Sequence, residues 1–176
     1  MPGGREAKPS MATVMQRREP FRGYSAEPRA LPEYAALIAG FASAFGVSLA
    51  AARRRRGELP ERIAAGDVVM AGIATQKLSR LLAKDRVASV IRAPFTREEG
   101  PDGPAEVSET PRGGRVRQAV GELVSCPFCL SQWVAGGFTA GLVLAPRSTR
   151  VVVAMFDMVA LSDFLQVAYK AAEERT

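Results

Sequence analysis

The sequence contains no histidine and little cysteine. Its 176 residues include no His, two Cys and one Trp. Because a neutral imidazole is the usual general base near pH 7, the absence of His removes the readiest group for acid–base catalysis. Two cysteines cannot form the disulfide framework of a small secreted domain. We therefore expect no cofactor, and the composition disfavours an enzyme.

Charge is missing from two long stretches. Residues 34–52 and 123–145, which are 19 and 23 residues long, contain no Asp, Glu, Lys or Arg. A hydrocarbon core about 30 Å thick is crossed by roughly 20 apolar residues in a helix, so each stretch can span a bilayer. A third apolar run, 151–169, is interrupted by only two Asp residues. The predicted fold is an all-α integral membrane protein with two to three transmembrane helices.

The net charge of +6 at pH 7 does not by itself indicate nucleic-acid binding. No aromatic-interleaved RNA-binding motif or zinc-finger spacing accompanies the basic residues. Basic residues beside membrane helices instead set orientation and contact anionic headgroups. We expect the lipid bilayer and its anionic headgroups as partners, and no nucleic acid.

The first 56 residues divide into a tail and an anchor. Residues 1–30, rich in Pro and charge, are predicted to form a disordered basic tail. Residues 31–56 are predicted to form a transmembrane anchor helix that ends in Arg53–Arg56. Consecutive Arg residues resist translocation, and the leader is too long for a signal peptide. The anchor is therefore expected to stay uncleaved.

The segment between the apolar stretches is strongly polar. Residues 63–95 have the periodicity of an amphipathic helix, with a basic stripe of Lys77, Arg80 and Lys84. We predict a basic helix at the membrane interface, lying among the headgroups or dipping into the bilayer as a half-span. Packing on the other helices would explain the pattern equally well. Residues 96–117, dense in Gly, Pro and acids, are predicted to form a solvated loop.

Residues 120–172 are predicted to form a transmembrane helical hairpin. Asp157 and Asp163 lie in its second helix, where a charge at the bilayer centre costs roughly 2.5 to 3.5 kcal/mol. We expect these acids to face other helices or an interface, and pairing with Lys77 or Arg80 would neutralise them. A wet cavity beside them would instead indicate a transport accessory subunit.

Two further features concern packing and orientation. The hairpin contains a GxxxG motif, Gly137 and Gly141, and a short turn at Arg147–Arg150. Such glycines let helices approach closely, here within the chain or in a homo-oligomer. Counting Lys and Arg near the helix ends gives eight on the central-loop side and six opposite, which favours a cytoplasmic central loop. The eight are Arg53–Arg56, Arg62, Arg112, Arg115 and Arg117.

Several short motifs resemble a known family. Their residues are Ala74, Thr75, Lys77, Leu78, Ser79, Arg80, Leu81, Leu82, Lys84, Asp85, Arg92, Ala93, Pro94, Phe95, Glu122, Leu123, Cys126, Pro127, Phe128, Cys129, Leu130, Ser131 and Trp133. Over roughly 67–169 the chain resembles the small bacterial membrane proteins catalogued as domain of unknown function 1360. Part of that family carries a sporulation label. The resemblance implies a multi-pass protein of the bacterial cytoplasmic membrane and brings no established reaction.

The CPFC sequence is the one constellation with recognisable chemistry. A Cys-x-x-Cys at a helix start places Cys126 near exposed backbone N–H groups, which stabilise a thiolate, and Pro127 fits the first turn. The pair could act in thiol–disulfide exchange. It could also bind a metal if Glu122 joins Cys126 and Cys129, or if two chains each contribute two Cys. Because no thioredoxin-like pattern surrounds it, we interpret the pair as structural.

Together these features predict a small membrane scaffold or interaction protein without enzymatic activity. A membrane protein partner or a second copy of the chain is the expected protein partner. The alternatives are a membrane thiol–disulfide oxidoreductase, which depends on Cys126 and Cys129, and a transport accessory subunit, which depends on Asp157 and Asp163. If the central loop is cytoplasmic, both thiols are expected to be free in growing cells.

Overall fold

A computed structural model describes Tyr24 and residues 29–175, and most of these residues are helical. The tail predicted over 1–30 lies almost wholly outside the described residues. The elements are α1 (Leu31–Arg56), α2 (Ala65–Lys84), a 3₁₀ turn (Arg86–Ala88), α3 (Ser89–Arg92), β1 (Thr96–Gly103), β2 (Glu106–Pro111), α4 (Arg115–Ser125), α5 (Pro127–Leu144) and α6 (Pro146–Glu173).

Helices α1, α5 and α6 are long and apolar enough to cross a membrane. Each has Pro in its first two positions, where a missing N–H costs no hydrogen bond. Only Ala145 separates α5 from α6. The predicted turn at Arg147–Arg150 is therefore wrong, because Pro146 begins the helix and those four residues form its first turn.

The contacts of α1 show that it runs parallel to α5. Near its start Tyr34 donates a hydrogen bond to Glu122, which lies just before α5. Further along, the rings of Phe41 and Trp133 meet edge-on with centroids 5.3 Å apart. At its end Arg56 Nη2 donates to the carbonyl oxygen of Leu144 at 3.3 Å. Since α5 and α6 are joined by one residue, α6 runs in the opposite direction.

Helix α2 lies along both α5 and α6 and is parallel to α6. Near its start Asp67 accepts two hydrogen bonds from Arg150, at 2.7 and 2.8 Å. Around its midpoint Ala74 packs in a buried cluster with Phe138 of α5 and Val153 of α6. Further on, Lys77 Nζ lies 2.6 Å from Asp163 Oδ2. Helix packing therefore accounts for its amphipathic pattern within this fold, and a position at the membrane interface stays a prediction.

The helix predicted over 63–95 is shorter than expected. It begins at Ala65 and ends at Lys84, and the next residue, Asp85, is extended, with φ −63° and ψ 137°. Arg92 Nη1 donates to the carbonyl oxygens of Leu82 and Asp85, at 2.8 and 3.1 Å. A side chain that satisfies the last carbonyls of a helix removes the need for a further turn. The tertiary contact thus ends the helix.

The prediction of an all-α fold and of a loop over 96–117 is wrong in one respect. Strands β1 and β2 pair antiparallel, with Thr96 opposite Pro111 and Gly103 opposite Glu106. Val107 of β2 is 1% exposed, so the hairpin contributes its own apolar contact. Threonine and valine favour extended backbone, and tertiary packing stabilises a Gly- and Pro-rich segment that sequence pattern reads as loop.

The helix directions define two ends of the bundle. One, the cap end, holds the first turn of α1, the last turn of α2, residues 85–117, which we call the cap, and the Cys pair. The other, the arginine end, holds Arg53–Arg56, residues 57–64 and the α5–α6 turn. Arg112, Arg115 and Arg117 therefore lie far from Arg53–Arg56. The structure separates the arginines that the count had placed on one side of the membrane, because α2 runs the length of the bundle between the two groups.

Candidate functional site

A cavity of about 360 Å³ opens between α1, α4 and α5 at the cap end. Apolar and aromatic side chains form most of its wall, and the polar groups are those of Tyr34, Glu122, Gln132 and Cys129. Glu122 accepts hydrogen bonds from the Tyr34 hydroxyl and, at 3.2 Å, from Gln118 Nε2. This size and this mixture of groups are those of small-molecule pockets.

The wall opposite Glu122 depends on a close approach of α1 to α5. A Cβ at Gly136 would lie 2.7 Å from Cε2 of Phe41, so the absence of a side chain there makes room for the ring. The same ring contacts Trp133, one of the family-motif residues, and stacks on Phe45 with centroids 5.9 Å apart. Glycine thus brings α1 onto α5, as small residues do between membrane helices.

The GxxxG pair predicted to mediate packing is divided in the fold. A Cβ at Gly141 would lie 2.7 Å from Thr149 Oγ1, so this glycine closes the α5–α6 contact. A Cβ at Gly137 would meet no atom within 4 Å. Gly136 and Gly141, rather than Gly137 and Gly141, are therefore the glycines of close approach in α5.

The cysteines lie at the start of α5, beside the cavity. Cys126 is the N-cap residue, and its Sγ accepts a hydrogen bond from the backbone N–H of Cys129 at 3.3 Å. Both are free thiols, Cys126 half-buried and Cys129 exposed. In the part of the chain that the structure describes, no three potential ligands gather into a metal site, so Glu122 does not complete one with the two sulfurs.

The motif residue Arg92 is the most deeply buried charge of the cap. Its side chain is 0% exposed and that of Glu109 is 4% exposed. Two parallel hydrogen bonds join them, from Nε to Oε2 at 2.9 Å and from Nη2 to Oε1 at 2.8 Å. Ser89 and Thr96 hydroxyls also donate to Glu109, at 3.0 and 2.6 Å. A buried pair this fully hydrogen-bonded is a structural clamp between α3, β1 and β2.

The environment of Glu109 shifts its pKa. Burial raises the pKa, but hydrogen bonds from Arg92, Thr96 and Ser89 outweigh burial and hold it below the ordinary value for Glu. The neighbouring Asp85 has the opposite shift, because burial raises its pKa more than Lys77 lowers it.

The other basic motif residues also hold the cap and bundle together. Arg80 makes two hydrogen bonds to Glu106 of β2, at 2.7 and 2.8 Å. Lys84 lies 3.2 Å from Asp102 of β1. Asp85 forms a β-bridge with Glu106. Arg80 and Lys84 of the basic stripe therefore face acids of the hairpin, whereas Lys77 faces Asp163 of α6.

The two membrane acids have different surroundings. Asp163 pairs with Lys77 at 2.6 Å, one of the two pairings that the sequence predicted. Asp157 is 8% exposed, and neither of its carboxylate oxygens has a hydrogen-bond partner among residues 29–175. It lies one turn beyond Val153, on the face of α6 that packs on Ala74. The two acids do not act as a pair.

Sequence reasoning missed several acids and one tyrosine that form these sites. Glu106 and Glu109 were not identified as site residues, because their segment was predicted to be a loop. The β-branched residues Val107 and Thr110 are the signal that could have indicated a strand. Glu33, which pairs with Arg115 at 3.2 Å, and Tyr34 carry no such signal, because their partners are more than 80 residues away.

Comparison with known proteins identifies which part of the chain matches a family. The family model described as "Protein of unknown function (DUF1360)" matches residues 70–169. The chain is 26% identical over 102 residues to "Sporulation protein YjcA" of Bacillus subtilis (strain 168), covering 56% of this chain and 86% of the relative. No solved structure matches. Helix α1 and its wall of the cavity lie outside the matched residues. Over half of its length, from near the start of α2 through most of α6, the chain belongs to the DUF1360 family of proteins of unknown function.

Proposed function

We propose that this protein is a multi-pass protein of the bacterial cytoplasmic membrane that acts as a non-enzymatic scaffold. The carrying observation is the exposure of its apolar helices. In the most apolar windows of α1, α5 and α6, only 6%, 11% and 11% of the residues are buried. Phe164, Leu161 and Met158 of α6 are 70%, 60% and 65% exposed. Such surfaces are unfavourable in water and suit a hydrocarbon environment.

The packing of α2 supports a fourth crossing. Its 20 residues extend about 30 Å, and contacts with α6 run from Asp67 to Lys77. If α5 and α6 span the bilayer, α2 must cross beside them. Helix α2 contains too many charged residues to be recognised as a membrane span from hydropathy, but Asp67 and Lys77 have partners on α6. Paired charges that face other helices are those that a bilayer tolerates.

A scaffold role follows from how the polar groups are used. Arg80, Lys84 and Arg92 are engaged in ion pairs that stabilise the cap. The cap thereby presents a folded polar surface at one end of the bundle, where it can bind another protein. The relative's name, sporulation protein, suggests that such a scaffold could serve a membrane process of spore formation.

Two measurements test membrane insertion and topology. The full chain should stay with membranes through high-salt and alkaline carbonate washes, and carbonate extraction without detergent would refute insertion.

For topology, single cysteines replace the exposed residues Glu58 and Glu98 in a Cys126→Ser/Cys129→Ser background. A membrane-impermeant maleimide should label Glu58→Cys and Glu98→Cys from opposite sides. Labelling of both from one side would refute the crossing of α2.

A membrane thiol–disulfide oxidoreductase is the second candidate function. It is favoured by the hydrogen bond from the Cys129 N–H to Cys126 Sγ and by the cavity beside Cys129. The two thiols would form a disulfide and pass two electrons and two protons to a substrate disulfide. Trapping thiols with maleimide before lysis tests it: a large oxidised fraction that turns over with the cellular redox state favours this candidate over the scaffold. The transport alternative has no comparable support in residues 29–175, since Asp163 is bound to Lys77.

A further inference from the structure

The arginine end carries positive charge that the fold leaves unpaired. Arg53–Arg56 form the last turn of α1, and Arg147 lies in the first turn of α6, all with exposed side chains. An open cleft of about 440 Å³ lies between these two helices. Its wall consists of Arg56, Ala145, Pro146, Arg147 and Ser148.

These arginines differ from the basic residues of the cap. Among the residues that the structure describes at this end, only Arg150 has an acidic partner, Asp67. Arg56 donates a single hydrogen bond, to the carbonyl oxygen of Leu144. The other acids nearby, Glu58 and Glu61, are exposed and form no ion pair with any residue of 29–175. The cleft therefore combines two guanidinium groups and the Ser148 hydroxyl, and within the described part of the chain no carboxylate compensates them.

The position of the cleft in the bundle indicates the source of its ligand. It lies where α1 and α5 end and α6 begins, at the boundary of the three apolar helices. If these helices span a bilayer, this boundary lies at the depth of the lipid phosphates. Guanidinium groups donate parallel hydrogen bonds to phosphate oxygens, and a hydroxyl can complete the shell.

We propose that the cleft lined by Arg56, Arg147 and Ser148 binds the phosphodiester headgroup of an anionic phospholipid. This inference rests on the proposed membrane insertion and adds a specific lipid site to it. The site differs from a general attraction of basic residues to the membrane surface, because it depends on the two arginines that line one cleft. Arg53 and Arg54, at the same end, supply charge but do not line it.

The experiment uses the full chain in nanodiscs that contain equal amounts of phosphatidylglycerol and phosphatidylcholine. Native mass spectrometry then counts the lipids that remain bound after release. The Arg56→Gln/Arg147→Gln variant should lose phosphatidylglycerol retention by at least about tenfold, as expected for lost charged hydrogen bonds. The matched control Arg53→Gln/Arg54→Gln removes the same charge and should change retention by less than about twofold. Ser148→Ala should give an intermediate loss.

The outcomes separate this inference from membrane insertion and from a free-anion site. Equal losses in cleft and control variants, or equal retention of both lipids, would overturn the inference while carbonate resistance still supports insertion. Displacement of the lipid by millimolar inorganic phosphate would indicate a site for free phosphate instead. If the glutamine variant fails to insert, Arg56→Lys/Arg147→Lys keeps the charge and tests the geometry. If the lysine variant retains phosphatidylglycerol as well as the unmodified protein does, recognition by the paired N–H groups of guanidinium is refuted.

Discussion

The cap and the helical bundle are stabilised by opposite means. In the cap, Arg92 and Glu109 are almost completely buried and bind each other in parallel. In the bundle, α6 exposes large apolar side chains along most of its length, including Val151, Met158 and Phe164. The cap encloses its charges, whereas the bundle exposes its apolar surface.

This contrast shows that the two regions depend on different surroundings. The cap derives its stability from internal hydrogen bonds, so we expect it to keep its fold in detergent. The bundle lacks an extensive buried core, and its largest described cluster is centred on Ala74, Phe138 and Val153. Helix association there depends on close contacts at Gly136 and Gly141, so mutations in the two regions should have different consequences.

The largest expected effect comes from breaking the buried pair of the cap. Arg92→Ala leaves the Glu109 carboxylate buried with its guanidinium partner missing, and should destabilise the cap by about 3–5 kcal/mol. The loss of cap stability is measured by chemical denaturation in detergent, with protease cleavage within residues 96–111 as the readout of unfolding. Arg92→Met combined with Glu109→Met removes both charges and should recover much of it. A double variant as unstable as Arg92→Ala would contradict this account.

A smaller effect is expected from two helical glycines that differ in their neighbours. A Cβ at Gly121 would lie 2.6 Å from the carbonyl oxygen of Phe95, at the junction of α4 with the cap. Gly121→Ala should therefore cost about 1–3 kcal/mol of unfolding free energy.

Gly137→Ala is the matched control, since its Cβ would meet nothing within 4 Å. It should be neutral or stabilise α5 by up to about 1 kcal/mol through helix propensity. Thermal unfolding in the same detergent compares the two variants. An equal loss of stability in both would show that the close contact at Gly121 is unimportant.

Acidification should weaken the cap before it affects the bundle. The pKa of Glu109 lies below its ordinary value in the folded protein, so its contribution is complete above the unfolded pKa of about 4.3 and is lost as pH falls through the folded pKa. Hydrogen exchange of the β1 and β2 amides, measured from neutral to acidic pH, should show this loss. Glu109→Gln should remove most of the pH dependence of this exchange. If the exchange of that variant still changes with pH as in the unmodified protein, other carboxyl groups are responsible.

The smallest effect is expected at the N-cap of α5. Ser is among the best N-cap residues, and its hydroxyl can replace Cys126 Sγ as acceptor from the Cys129 N–H. Cys126→Ser should therefore leave membrane insertion intact and change stability by less than about 0.5 kcal/mol. Cys126→Ala removes the acceptor and should cost about 0.5–2 kcal/mol. Serine that destabilises as much as alanine would show that sulfur itself is required.

Parts of the candidate sites could be predicted from short-range patterns. The ion pair of Lys77 and Asp163 was expected because an apolar helix must neutralise its acids. The first-turn position of Pro127 and the N-cap role of Cys126 likewise follow from local rules. The cavity beside Glu122 could not be predicted, because α1 forms half of it. Tyr34 of α1 and Glu122 are 88 residues apart in the sequence. No periodicity in either segment specifies that contact.

The sequence by itself determined three apolar helices, a basic α2 and membership of the DUF1360 family, because hydropathy, helical period and motif spacing are properties of neighbouring residues. Tertiary structure decided that α2 packs along α5 and α6, and that a segment of loop-like composition forms a hairpin clamped by Arg92 and Glu109. It also placed Arg53–Arg56 and the Cys pair at opposite ends. These outcomes depend on which distant charges and small residues meet, and long-range pairing energies rather than local preference select those partners.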